Sequence, residues 1–240
     1  MDYYKNFIST FDRLNTSNNS RRVFEDFVEL SACTITHRED ILNLEERDLR
    51  RFEILKNYDS KDSELFSELF YIAAGALTEK PEQDFLGAVS ERLNLGLNLM
   101  SYDLAVTNAA TILFGEDLNE MPIRFMDTAA GAGTQIIAMA NALKKNGVNY
   151  QNDVYFVAAD PDRTAALMCY IQMSLLGCAG TVTVSNSPTD ETFSVLNTPM
   201  LFNGVWDPDR KIAAVMNHLK GIDFVEEAKT RPEIKTLSDL

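Results

Sequence analysis

Pro122-Ile-Arg-Phe-Met-Asp-Thr-Ala-Ala-Gly-Ala-Gly-Thr134 is the stretch that decides the fold. It is an apolar run that ends in Asp127 and continues into a turn of small residues. The following segment, 135–147, is rich in helix-forming residues and closes on two lysines and a glycine, which is a helix C-terminal signal. Val154-Tyr-Phe-Val-Ala-Ala-Asp160 then indicates a second buried strand that also ends in an acid.

A second helix is predicted over 163–176 and a third strand over 181–185. The order strand, small-residue turn, helix, strand ending in an acid, helix, strand is typical of half of a doubly wound nucleotide-binding sheet. We therefore expect an α/β protein built on a Rossmann-like sheet.

The turn after the first strand is the candidate ligand site. Gly131 and Gly133 have no Cβ, so the turn can adopt unusual backbone angles and a ligand can touch the main chain. The predicted helix 135–146 begins at this turn, and its free N–H groups point into the same crevice. Asp160, at the carboxyl end of the neighbouring strand, is placed to accept both hydroxyls of a ribose.

The spacing of the turn is D-x-x-x-G-x-G rather than G-x-G-x-x-G, and no phosphate-loop lysine follows. This favours an adenosyl ligand without a pyrophosphate, such as S-adenosylmethionine. The alternative is that the small residues serve only to pack a strand tightly against a helix.

Composition limits the class of protein. Apolar residues make up 45% of the 240 residues and charged residues 24%, which is ordinary for a globular chain. No apolar run is long enough to span a membrane, and the start does not resemble a signal peptide. Three cysteines and two histidines show no metal-ligand spacing, so we expect no metal and a reduced, cytoplasmic protein.

The formal net charge of −14 opposes a free-standing nucleic-acid binder, since phosphate binding needs a basic surface. Acidity suits solubility, a basic partner or mimicry of DNA.

The first 115 residues are predicted to be helical, the α/β core is expected over 116–225, and 226–240 is predicted to be an acidic tail. Within the core, 193–196 indicates a fourth strand and 210–220 the last helix.

With these residues laid out, the chain resembles the N-6 adenine DNA methyltransferases. The likeness is to the modification subunits of type I restriction systems, and especially to short methylase-like proteins of phages and integrative elements. It covers roughly 85–206. Asp127-Thr-Ala-Ala-Gly-Ala-Gly133 stands where the family has its D-P-x-C-G-S-G cofactor loop. The resemblance implies an S-adenosylmethionine site that includes Asp127, Ala129, Gly131 and Gly133.

Two more segments carry the resemblance, 156–165 and 175–187, the second of which looks like the approach to the family motif that packs near adenine. Phe156-Val-Ala-Ala-Asp-Pro-Asp-Arg-Thr-Ala165 stands where the family has its acidic motif, which makes Asp160 the ribose ligand. Family analogy puts Asn186 near the adenine amino group. Gly96-Leu-Asn-Leu-Met-Ser101 stands where the family has G-Q-F-[FY]-T-P, a segment that helps enclose the cofactor, but its polar and proline positions are lost.

The catalytic motif of this family, [DN]-P-P-[YFW], does not occur in the chain. In the family its Asn or Asp hydrogen-bonds the target amine, and its aromatic ring stacks on the flipped base. The nearest candidate is Asn197-Thr-Pro-Met200, which makes Asn197 the catalytic candidate. The alternative is a turn that merely contains asparagine and proline.

No target-recognition domain is expected, because the chain ends shortly after its last predicted helix. Extruding a base from DNA costs a few kcal/mol and needs a grip on phosphates. We therefore expect DNA contact to be weak or to pass through a partner, for example a restriction–modification protein. Three hypotheses follow: a DNA adenine methyltransferase or its subunit, a non-catalytic anti-restriction-type regulator of a mobile element, and a Rossmann-like domain with an empty pocket.

Overall fold

Strands and helices alternate in the second half of the chain, after a helical first half. The computed structural model describes residues 1–14, 19–36, 41–97, 99–119, 122–186 and 191–202, without the side chains of 41–46, 186 and 191–193. The helices of the first half are α1 (Tyr3–Leu14), α2 (Ser20–Ile35), α3 (Ile41–Leu55), α4 (Ser60–Glu79), α5 (Phe85–Arg92) and α6 (Tyr102–Ile112). The second half contains β1 (Ile123–Asp127), α7 (Thr134–Lys145), α8 (Tyr150–Asp153), β2 (Val154–Asp160), α9 (Arg163–Leu176), β3 (Ala179–Asn186), β4 (Glu191–Asn197) and a 3-10 turn (Pro199–Phe202).

The four strands of the described residues form one sheet in the order β1-β2-β3-β4. β1, β2 and β3 are parallel neighbours, and β4 runs antiparallel to β3. Asp127 is the register partner of Ala158, and Asp160 is that of Val184, so β1, β2 and β3 end at the same side of the sheet. We call this side the carboxyl edge. The expected α/β architecture is confirmed, and its sheet is compatible with a Rossmann-like fold.

One face of the sheet packs against helices. Phe156, Ala158 and Val182 are completely buried on this face. Gly180 lies on it too, and a Cβ there would stand 2.1 Å from the carbonyl oxygen of Phe156. No other residue fits that space, because real Cβ atoms do not approach a backbone oxygen so closely.

The helical half and the sheet share one continuous hydrophobic core, which runs from Phe7 in α1 through Phe27 in α2 to Ile171 in α9 and Val184 in β3. Aromatic rings dominate the helical part: Phe7 contacts Phe27 edge-on, with ring centroids 5.3 Å apart. In the described part of the chain, no helix is both long and apolar enough to cross a membrane. The predicted helix 210–220 and the acidic tail 226–240 lie outside the described residues.

Candidate functional site

The turn between β1 and α7 is held in a defined shape by its own backbone and by β2. Gly131 has φ +53° and Gly133 has φ +89°, a left-handed conformation that glycine adopts without strain. The N–H of Gly133 donates to the carbonyl of Ala130 at 2.8 Å, and the N–H of Ala130 donates to the carbonyl of Ala159 at 3.0 Å. Gly133 is the N-cap of α7 and has no side chain, so no side-chain cap bonds to the N–H groups at the start of this helix.

Asp160 connects the end of β2 to this turn. One carboxylate oxygen, Oδ2, accepts the N–H of Gly131 at 2.8 Å, and Oδ1 accepts the N–H of Asp162 at 2.9 Å. Burial raises the pKa of Asp160, while these two backbone hydrogen bonds lower it. Because a carboxylate has about four acceptor positions, Asp160 can hold the turn and still accept a hydrogen bond from a ligand.

Asp127 is the second acid at the carboxyl edge. Its side chain is buried, and its Oδ1 accepts the N–H of Ala129 at 3.1 Å. Burial raises the pKa of Asp127, the hydrogen bond from Ala129 opposes that rise, and the nearby charge of Asp160 adds to it. Ala129 itself is exposed at the apex of the turn. The structure therefore brings together Asp127, Ala129, Gly131 and Asp160, all of which the sequence singled out.

The two glycines of the turn are required for different physical reasons. A Cβ on Gly133 would lie 3.2 Å from the Cα and 2.9 Å from the Sγ of Cys169, so this glycine lets α7 approach α9 closely. That is the packing role considered as the alternative for the small residues. A Cβ on Gly131 would instead lie 3.2 Å from Leu99. Leu99, which belongs to the segment 96–101, therefore lies against the turn.

A buried acid that the sequence did not point out supports the turn from behind. Asp84 is 7% exposed and caps α5, where its Oδ1 accepts the N–H of Gly87 at 2.8 Å. Thr134, the first residue of α7, donates its hydroxyl to Oδ2 of Asp84 at 2.6 Å. Gln172 of α9 donates its amide to Asp84 at 2.7 Å and to the carbonyl of Ala132 at 2.8 Å. The turn is thus tied to both α5 and α9.

Burial raises the pKa of Asp84, and the hydrogen bonds from Thr134, Gln172 and Gly87 oppose that rise. The carboxylate of Asp84 accepts all three of these hydrogen bonds. The spacing along the chain explains why pattern reasoning missed the cluster, since Thr134 is 50 residues and Gln172 is 88 residues from Asp84.

The structure does not bring Asn197 to this site. Asn197 is the register partner of Thr181, which in turn pairs with Val157, three residues before Asp160. Three residues of strand span about 10 Å. Because β4 is antiparallel to β3, its last residue lies toward the amino edge of the sheet instead of the carboxyl edge. Oδ1 of Asn197 accepts the hydroxyl of Thr181 at 2.9 Å within the buried sheet.

Asn186 is the last residue of β3 and ends at the carboxyl edge. Its side chain lies outside the described residues, as do His37 and His218.

Comparisons of the chain with protein-family models, with curated proteins and with solved structures find no match. The candidate site therefore rests on the turn, the two acids of the carboxyl edge and the buried support behind them.

Proposed function

We propose that this protein binds S-adenosylmethionine at the turn 128–133 and is related in function to the N-6 adenine DNA methyltransferases that its sequence resembles. The observation that carries the proposal is the contact between Asp160 and the N–H of Gly131. It puts an acid at the end of β2 directly beside a glycine turn at the end of β1, an arrangement suited to a nucleoside.

In this proposal the ribose hydroxyls of the ligand donate to the remaining acceptor positions of Asp160. The exposed backbone around Ala129 faces the methionine part, and Asp127 keeps that backbone in shape through its hydrogen bond to Ala129. Leu99 covers the turn on the side of Gly131. S-adenosylmethionine would supply the methyl group. The resemblance names an adenine of DNA as the acceptor, with DNA held through a partner subunit.

A second candidate function is a binding or regulatory protein that keeps the cofactor site without catalysing transfer. The position of Asn197 favours it, because Asn197 pairs with Thr181 away from the carboxyl edge and is not placed to hold a target amine beside the cofactor. Such a protein would act by contacting a restriction–modification complex of the host, as expected for a factor carried by a mobile element.

Calorimetric titration with S-adenosylmethionine tests the binding site. We expect Asp160→Ala to lose binding and Asp153→Ala, in the short helix α8, to retain it, with folding of both variants checked by circular dichroism. Ala129→Trp gives an independent test, because Ala129 is exposed and a large ring there would fill the crevice without entering the core. Absence of binding to the native protein at millimolar ligand would overturn the proposal.

Transfer of a labelled methyl group to DNA separates the two functions. The native protein is assayed alone and together with a type I modification subunit and its recognition subunit. Transfer that depends on Asp160 supports the methyltransferase. Binding of S-adenosylmethionine without transfer in either setting supports the regulatory protein.

A further inference from the structure

The two helices that connect the parallel strands lie on one face of the sheet. α7 connects β1 to β2, and α9 connects β2 to β3, with the three strands in consecutive order. Because crossovers between parallel strands are right-handed almost without exception, α7 and α9 lie on the same side. A Cβ on Gly180 would stand 2.9 Å from the Cε of Met173 in α9, so this is the face that carries Phe156, Ala158 and Val182. We call the opposite face of the sheet the outer face.

The helical half of the chain lies on the same side as α7 and α9. Arg163, the first residue of α9, donates Nε and Nη2 to the two carboxylate oxygens of Glu29 in α2, at 2.6 and 3.1 Å. Arg163 also donates Nη1 to the hydroxyl of Ser194 at 3.2 Å. Ser194 is the register partner of Val184, a residue of the continuous hydrophobic core. The helical half is therefore fixed to the side of the sheet that α9 covers.

The register of the strands shows which side chains lie on the outer face. Met126 is the partner of Val157, and Val157 is the partner of Thr181. Since successive side chains of a strand alternate between the two faces, these three point away from Phe156 and Ala158. Met126 and Val157 are partly exposed, and in the described part of the chain neither belongs to the hydrophobic core or packs against it. Sheets of parallel strands occur almost only with both faces covered, so a cover for the outer face is expected.

The described part of the chain ends on the outer face. Ala179 is the register partner of Tyr155, so both side chains lie on this face. Leu201, in the 3-10 turn after β4, is buried with Ala179, and Tyr155 packs against this pair. These residues form a small apolar cluster that is separate from the main core. The chain therefore enters the segment 203–240 from the outer face.

Four apolar residues, which we call the apolar stripe, recur at helical spacing in the predicted helix 210–220: Ile212, Val215, Met216 and Leu219. The spacing i, i+3, i+4, i+7 puts them on one side of a helix, which is typical of a helix that packs on an apolar surface. Such a helix is about 16 Å long, close to the roughly 20 Å that β2 spans. The connecting residues 203–209 can reach about 23 Å when extended, enough to carry the helix onto the middle of the sheet.

We propose that the segment 203–220 docks on the outer face, with the apolar stripe packed on Met126 and Val157. The occupant is a part of the same chain because the described residues end on this face. A tether as short as 203–209 keeps the segment at an effective concentration on the order of millimolar, so a second copy of the chain is at a disadvantage. The proposal does not depend on S-adenosylmethionine.

The test places a reporter thiol on the outer face of the full-length protein. Val157→Cys replaces a partly exposed side chain by one of similar size. Alkylation of the new thiol by iodoacetamide is followed by mass spectrometry of its peptide, and alkylation in urea gives the rate of the uncovered thiol. We expect the thiol at position 157 to react at least about tenfold more slowly in the native protein than in urea.

Two double variants, each combined with Val157→Cys, carry the same added charge on opposite sides of the predicted helix. Val215→Asp with Leu219→Asp puts two carboxylates in the apolar stripe, where docking would bury them. We expect the thiol at position 157 to react about tenfold faster in this variant. The matched control, Ala214→Asp with Asn217→Asp, puts the carboxylates on the opposite side of the helix and should change the rate less than about twofold.

Cys169 and Cys178 show whether the fold is kept, because both are completely buried and react slowly while the core is intact. The proposal is overturned if the thiol at position 157 reacts as fast in the native protein as in urea. Equal effects of the two double variants, with both native cysteines still protected, would also overturn it. Protection that is lost on dilution would show that a second copy covers the outer face, which contradicts the proposal. If a double variant does not fold, the single changes Val215→Asp and Asn217→Asp give the same comparison.

Discussion

Replacing Asp84 with alanine removes the side chain that connects α5 to the turn of the candidate site. Three donors lose their acceptor: the N–H of Gly87, the hydroxyl of Thr134 and one hydrogen of the Gln172 amide. The amide nitrogen of Gln172 keeps its hydrogen bond to Ala132. The N–H of Gly87 and the hydroxyl of Thr134 are therefore the two buried donors that have no partner left in this cluster.

The magnitude follows from these contacts. A buried donor left unsatisfied costs about 1–3 kcal/mol, and the loss of an N-cap costs about 1 kcal/mol, here for the same N–H of Gly87. Relief from burying a carboxylate offsets part of the loss. We expect Asp84→Ala to lower the free energy of unfolding by about 2–4 kcal/mol. Asp84→Asn should stay within about 1 kcal/mol of the native protein, because its oxygen can replace Oδ1 and the hydroxyl of Thr134 can turn to accept.

The assay is urea unfolding at pH 7, followed by far-ultraviolet circular dichroism. The slope of the free energy of unfolding against urea concentration is compared between the variants.

The dependence of stability on pH gives a second readout. Burial raises the pKa of Asp84, so its contribution to stability is complete below its unfolded pKa, about 3.9, and is lost as the pH rises through the folded pKa. Asp84→Asn should therefore gain stability relative to the native protein between pH 4 and pH 7. A loss below 1 kcal/mol for alanine, or equal losses for both variants, would refute the reasoning.

Three further predictions concern single residues. Gly133→Ala should lower the free energy of unfolding by about 2–4 kcal/mol, because the new Cβ both overpacks against Cys169 and strains the backbone. Gly147→Ala, at φ +85° with open space around it, should lower it by only about 1 kcal/mol. Thermal unfolding of the two variants measures this difference. Asn197→Ala should lower it by about 1 kcal/mol and leave S-adenosylmethionine affinity within twofold, and a tenfold loss in calorimetry would contradict its placement. Burial, with the charge of Glu29, raises the pKa of Cys33 to about 11, so its alkylation by iodoacetamide at pH 8 should be roughly 100-fold slower than in urea; equal rates would show an accessible thiolate.

Local patterns predicted most of the elements. β2 and α9 have the predicted bounds, 154–160 and 163–176, because a continuous apolar run and a long helical periodicity are strong signals. Ser101, a residue type that favours the N-cap, caps α6. At the start of α2, Asn19 supplies the cap, although Ser20 beside it is also a suitable residue. Both residues are good N-caps, and the choice depends on the path of the preceding chain.

The arrangement of the elements was harder to predict. The short apolar run 193–196 indicates a strand, but nothing in it says which strand β4 pairs with or in which direction. For this reason Asn197 was selected by its order in the chain and lies toward the opposite edge from Asp160. The turn and Asp160 were predictable, because consecutive parallel strands end at one edge. The support from Asp84 was not, because its partners are distant in sequence.

The ion pair between Glu29 and Arg163 joins residues 134 positions apart in the chain. Ribosomes add about 5–20 residues per second, so α2 is synthesised roughly 7–27 s before the helix that pairs with it. During that interval the nascent helical half has no α9 to cover its surface. Cotranslational folding of this protein thus includes a delay of this length, during which the apolar side chains of α2 that share a core with α9 are still uncovered by it.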